Sequence, residues 1–186
     1  TYRTFEELYT QKKDYDIYMV GSDQVWNPGI YSSLLPYMLT FAPEGRKRIA
    51  YASSFGVSSI PDECKWLYKE YLPKFSSIGV REKNAVGMVK ELAEKDATWV
   101  LDPTLLLDKE NWKKVGKSPY KNLGNYILLY ELTPCPYILE LAKHFREKTG
   151  MSIIRICKNA CAEDKDCTIM NIVDAGPAEF IDLFSK

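Results

Sequence analysis

An apolar run that ends in a dense polar turn, Ile17-Tyr18-Met19-Val20 followed by Gly21-Ser22-Asp23-Gln24-Val25-Trp26-Asn27-Pro28, most narrows what this chain can become. The four β-favouring residues predict a strand buried by helices on both faces, and Gly21 lets the backbone bend sharply behind it. Ser22, Asp23, Gln24 and Asn27 then emerge together at the strand's carboxyl end, where α/β enzymes present their chemistry. Trp26 is expected to form an aromatic wall among them. Carboxylate, amide and indole side by side suit a sugar, whose hydroxyls want paired donors and acceptors and whose C–H face wants a flat apolar surface. The same residues also suit an Asx-type turn with a packed indole, and spacing leaves both readings open.

Three later segments repeat the arrangement: Arg48–Gly56, Ser77–Lys83 and Trp99–Leu106 each finish an apolar stretch with small, charged or turn-forming residues. Between them lie helical stripes. Cys64, Leu67, Tyr68, Tyr71 and Leu72 follow the i, i+3, i+4, i+7, i+8 pattern behind Pro61, and Ala85, Met88, Val89, Leu92 and Ala93 form a second inner face. Thr4-Phe5-Glu6-Glu7 reads as a capping box opening a short helix through about Gln11, with Phe5, Leu8 and Tyr9 inward. Pro28 to Pro43, with Tyr31, Tyr37 and Phe41, reads as an irregular loop, either a lid or a packed excursion. Strands are expected at Ile17–Val20, Arg48–Ala52, Ser77–Val80 and Thr98–Leu101. The β-α-β-α-β run predicts an α/β fold with a doubly wound parallel sheet. Gly21–Asn27, Ser53–Gly56, Arg81–Glu82 and Asp102–Pro103 then share one rim.

The breaker-rich stretch Gly116–Gly124 predicts a boundary, with units at residues 1–118 and 123–186. Beyond it come a strand at Tyr126–Leu132, a helix with Ile138, Leu141, Ala142 and Phe145 inward, strands at Ile153–Cys157 and Thr168–Val173, and a helix from Pro177. Trp112 reads as packing and His144 as a surface residue.

With 186 residues the chain can bury a full hydrophobic core. Its 25 basic and 25 acidic residues cancel, which argues against non-specific nucleic-acid binding. No apolar run is long enough to span a bilayer, and no signal peptide opens the chain, so the expected location is cytoplasmic. The first residue is Thr1, which suggests an excised or processed piece. Five cysteines cannot all pair with one another. Cys157, Cys161 and Cys167 could supply zinc thiolates, but no fourth ligand is evident, and the preferred reading is free thiols with no metal.

In order and spacing, the blocks Gly21-Ser22-Asp23-Gln24-Val25-Trp26, Ala50-Tyr51-Ala52-Ser53-Ser54-Phe55-Gly56, Val80-Arg81-Glu82 with Ser77 ahead of it, and Leu101-Asp102-Pro103-Thr104-Leu105-Leu106 resemble the polysaccharide pyruvyl transferase family. The resemblance spans about Asp14 to Trp112 and continues weakly through Tyr126–Tyr130 and Pro177–Phe184. It implies transfer of the enolpyruvyl unit of phosphoenolpyruvate onto two hydroxyls of a saccharide or lipid-linked saccharide, with no separate cofactor. It also implies two Rossmann-like lobes of the glycosyltransferase-B kind, of which this chain would hold the first and part of the second. The family's later Ser-Phe-His-Gly block does not occur before Lys186, so the resemblance implies a catalytically incomplete portion.

Such a reaction needs fixed cations and N–H groups for the donor's phosphate and carboxylate, a proton for C3, and a base for the sugar hydroxyls. Arg81 is the expected cation, with a helix start at Glu82-Lys83 adding partial positive charge. Its alternative is a salt bridge to Glu82 or another carboxylate. Asp23 is the expected acid or base, with Gln24 and Asn27 orienting the sugar; its alternative is turn closure. Gly21, Ser22, Trp26, Ser53, Ser54, Gly56, Glu82 and Asp102 complete the candidate binding set. Ser53, Ser54 and Gly56 carry no nucleotide P-loop pattern and equally suit an ordinary tight turn, while Asp102 before Pro103 also reads as a strand-ending turn residue.

Overall fold

Strand-forming runs alternate with amphipathic helices along the chain, and a computed structural model describes residues 4–10, 14–158 and 168–186. In chain order the elements are α1 (Phe5–Thr10), β1 (Ile17–Val20), α2 (Leu34–Tyr37), β2 (Lys47–Ser53), α3 (Asp62–Tyr71), β3 (Ser77–Val80), α4 (Lys83–Ala93), β4 (Thr98–Trp99), α5 (Lys109–Val115), β5 (Tyr126–Glu131), α6 (Pro136–Thr149), β6 (Ser152–Cys157), β7 (Ile169–Ile172) and α7 (Pro177–Ser185). They form two compact units, Thr1–Leu106 and Leu107–Lys186. The fold is α/β, and every strand pair in both sheets is parallel.

The first unit holds a four-stranded sheet in the order β1-β2-β3-β4. One face of it carries Tyr18, Val20, Ala50, Ile78 and Val80 into a core completed by Leu67, Tyr68 and Leu72 and by Ala85, Val89 and Leu92. The two predicted helical stripes are therefore the faces that bury. α3 follows Pro61, which caps it with extended backbone, and α4 ends at Glu94 in the left-handed conformation.

β1 departs from expectation. Its burial alternates, with Tyr18 and Val20 inside and Ile17 and Met19 exposed. Among the described residues it is an edge strand that pairs only with β2, and with Ile17 and Met19 left exposed on its second face the continuous apolar run is not buried on both sides. α1 likewise buries nothing, and Phe5 and Tyr9 are exposed. Its start is capped as expected, Thr4 Oγ1 accepting from Glu7 N–H at 3.2 Å, while Gln11 lies outside the described residues. The Pro28–Pro43 segment is a packed excursion rather than a lid: a 3-10 turn and α2 lead Leu34, Met38, Leu39 and Ala42 into the core. β4 stops at Trp99 because Asp102 caps a 3-10 turn over Pro103–Leu105, which pulls the chain away from the sheet.

The second unit carries the sheet β5-β6-β7. Ile154, Ile156 and Ile172 pack with Leu183 of α7, and Ile153 and Ile169 pack with Ala142 of α6. Of the α6 residues expected inward, only Ala142 is buried; Ile138, Leu141 and Phe145 are exposed. Three strands are narrower than the apolar arc of this helix, and the stripe through Leu139 and Ala142 takes the contact. α5 was not anticipated; Asp108 caps it by accepting from Asn111 N–H at 2.8 Å. Among the described residues no helix is long and apolar enough to cross a membrane.

Candidate active site

The rim at the carboxyl ends of β1, β2 and β3 is assembled by the backbone before any side chain takes part. Asp23 forms an isolated parallel bridge with Ser53. Ser54 N–H donates to the Asp23 carbonyl at 3.0 Å, Trp26 N–H to that of Ser54 at 3.0 Å, and Arg81 N–H to that of Ser53 at 3.2 Å. The turn after β1, the end of β2 and the start of α4 are thus stitched into one ledge. Two of its non-glycine residues sit in the left-handed region, Asp23 at φ 84 and Ala52 at φ 56. Each such residue costs on the order of 1 kcal/mol, a strain that gathers at functional sites.

Arg81 stands where β3 meets α4. Its Nε donates to Glu82 Oε1 at 3.0 Å and its Nη1 to Asp102 Oδ2 at 3.3 Å. Asp102 is held in turn by Thr104, whose N–H and Oγ1 both donate to Oδ1, at 3.0 and 2.7 Å. Those Thr104 bonds, with Arg81 adding to them, hold the Asp102 carboxyl below its ordinary value. Glu82 occupies the N-cap of α4 but makes no capping bond there, because its carboxylate is turned to Arg81. The first-turn N–H groups of α4 therefore keep their partial positive charge without a side-chain cap. The alternative reading of Arg81 as a salt-bridge partner is present in the geometry, and an anion reaching it competes with Glu82, the more exposed of its partners at 37% against 19%.

An open recess of about 350 Å³ lies against this ledge, lined by Gln24, Ser54, Gly56, Arg81, Glu82 and Asn84 and also by Val57 and Ser58. Gln24 and Asn27 form an amide pair, Nδ2 of Asn27 donating to Oε1 of Gln24 at 2.7 Å. Gly56, at φ +65, lies under that pair, and a Cβ there would come within 2.5 Å of Gln24 Oε1. Asp23 is exposed, and its Oδ1 accepts from Gln24 N–H at 2.7 Å, so turn closure is part of its role.

Other expected residues take different places. Trp26, expected as a wall of the site, is fully buried, its ring against Phe55 and Phe75 and its Nε1 donating to the Tyr37 carbonyl at 3.3 Å. It offers no face to a sugar. Ser53 is also fully buried, its hydroxyl donated to the Gly21 carbonyl at 3.1 Å. Ser54 Oγ accepts from Gly56 N–H at 3.0 Å, which makes this the tight turn of the alternative reading even where it borders the recess. Gly21, Ser22, Asp23 and Asn27 lie on the β1 turn but do not line the recess, and neither does Asp102. Val57, Ser58 and Asn84 do, and were missed. Asn84 carried a signal, since it falls in the first turn of a helix that follows the predicted cation.

Cys157 is buried at the end of β6, while Cys161 and Cys167 lie outside the described residues. Among the described residues no group of three or more His, Cys, Asp or Glu side chains could hold a metal ion. His144 is exposed on α6.

Compared with known proteins, the chain matches one family model over residues 2–186, that of the polysaccharide pyruvyl transferases. No curated protein and no solved structure matches it.

Proposed function

The chain belongs to the polysaccharide pyruvyl transferase family, and from that premise we propose that it takes phosphoenolpyruvate as donor and a saccharide, free or lipid-linked, as acceptor in the making of a cell-surface polysaccharide. The observation that carries the reading is Arg81 on the recess beside the uncapped start of α4, two cationic features converging where an anionic donor could be held. In the reaction C3 of the donor gains a proton, one sugar hydroxyl adds to C2, inorganic phosphate leaves, and the second hydroxyl closes the ketal; each hydroxyl gives up its proton. Arg81 would hold the donor's carboxylate or phosphate, Asp23 would accept a hydroxyl proton, and Gln24 and Asn84 would orient the sugar. The two parallel-sheet units fit the Rossmann-like lobes of the glycosyltransferase-B class, and a cytoplasmic setting, at the inner membrane face for a lipid-linked acceptor, suits this donor.

A second reading is favoured by one observation. Arg81 is balanced by two carboxylates, as expected of a carbohydrate- or partner-binding lobe that kept the fold and lost the chemistry. Calorimetric titration of phosphoenolpyruvate and of a nucleotide-sugar, separately, into the whole chain separates the readings. Saturable binding of phosphoenolpyruvate alone is expected. Binding of the nucleotide-sugar alone would point to a glycosyltransferase, and binding of neither to the binding lobe.

A further inference from the structure

Trp99 closes β4 at the carboxyl edge of the first sheet and stays 59% exposed, although it carries a large apolar ring. Register fixes its backbone: Trp99 pairs with the buried Val80, and Val100 N–H donates to the Val80 carbonyl at 3.0 Å. The ring is fixed as well, because its Nε1–H donates to the Arg81 carbonyl at 3.1 Å. That carbonyl belongs to the peptide joining Arg81 to Glu82, so the nitrogen edge of the indole rests on the backbone that carries the guanidinium of the site and the N-cap of α4. Among the described residues β4 is an edge strand, and no further strand shields the ring from water.

A tryptophan that only packs covers its faces, and one scattered on a surface needs no special account. Trp66, 54% exposed on the outer side of α3, is of the second kind. Trp99 differs from both. Its polar atom is satisfied while most of its apolar surface is left in water, the arrangement of a ring held for a flat apolar partner. With two side-chain torsions and one hydrogen bond to hold them, little rotamer freedom is left to lose on stacking. Next to it in the same peptide, the Glu82 carboxylate is 37% exposed and can accept from a hydroxyl. An aromatic face beside a carboxylate matches a pyranose, which has a C–H face for one and hydroxyls for the other. The sequence placed such a wall at Trp26, which is buried; the exposed indole at the rim is Trp99.

We propose that the Trp99 indole is a stacking platform for a pyranose ring of the acceptor, with Glu82 accepting from one of its hydroxyls. That this sugar is an acceptor rests on the pyruvyl reading; that the indole takes a sugar does not.

NMR of the indole N–H signals of the whole chain, titrated with methyl β-D-glucopyranoside and in a second arm with methyl β-D-galactopyranoside, tests it. The Trp99 signal is expected to shift saturably with one glycoside or both while that of Trp66 stays in place. Trp99→Ala, an exposed substitution, is expected to lower the affinity, followed at the Glu82 amide, by about tenfold, as for loss of an aromatic partner. Trp99→Phe, which keeps an aromatic face, recovers part of it. A Trp99 signal unmoved by both glycosides, a Trp66 signal that moves equally, or an unchanged affinity in Trp99→Ala would overturn the proposal. Phosphoenolpyruvate is expected to bind Trp99→Ala as it binds the parent; a matching loss there would put the indole in the donor pocket and overturn it too. Glycoside binding through Trp99 in a chain that takes up no phosphoenolpyruvate would end the pyruvyl reading and leave the platform standing in a carbohydrate-binding lobe.

Discussion

Asp102 shows how one carboxylate can serve a site without touching a ligand. Thr104 fixes one of its oxygens and Arg81 takes the other, so the aspartate steers the guanidinium while itself lying off the recess. Its carboxyl is held below the ordinary value of 3.8, chiefly by the Thr104 bonds. A depressed folded value means that the contribution to stability is fully present above 3.8 and is lost as pH falls through the lower folded value. Asp102→Asn is therefore expected to be less stable than the parent at neutral pH and to converge with it as pH falls through the lowered folded value. Thermal melts of both proteins across that range check this; parallel curves at every pH would show that the ionised carboxylate adds nothing to the fold.

At the scale of elements, the polar turn after β1 is braced from beneath by aromatic packing. Trp26 meets Phe55 and Phe75, and the fully buried Tyr68 donates its hydroxyl to the Trp26 carbonyl at 2.8 Å. Burial pushes the Tyr68 phenol well above its usual range, so it remains a donor throughout physiological pH. Tyr68→Phe leaves a buried carbonyl without its donor and is expected to cost about 1–3 kcal/mol in chemical denaturation. A loss near zero would mean that another group satisfies that carbonyl. The α3 stripe that delivers Tyr68 was readable in the chain because its apolar spacing matches the helical period and Pro61 marks its start. The inward turn of Trp26 was not. A tryptophan beside carboxylates and amides suits a sugar wall and a core plug equally, and only the α3 and Phe75 surfaces beneath it decide between them. Ser53 failed for a related reason: a small polar residue at a strand end is silent about which way its hydroxyl turns.

For the molecule as a whole, two parallel sheets follow from strands and helices that alternate in the sequence, and the carboxyl rim of the first follows from where each apolar run stops. Burial on both faces did not follow. The exposed face of β1, with Ile17 and Met19, and the exposed Ile138, Leu141 and Phe145 of α6 depend on how many strands and helices stand beside each element, a property no local window contains. The site is similarly divided. Arg81, Glu82, Gln24, Ser54 and Gly56 could be named from the blocks they close, whereas Asn84, Val57 and Ser58 enter only once α4 and the β2 turn are set against each other. In the proposed function Arg81 is the residue that would hold an anionic three-carbon donor. Its most direct test is the affinity of the parent chain and of Arg81→Ala for phosphoenolpyruvate by titration calorimetry. A loss of about 1.5–3 kcal/mol is predicted, as for removal of a charged hydrogen-bonding partner. Equal affinity in the two proteins, both folded, would contradict it.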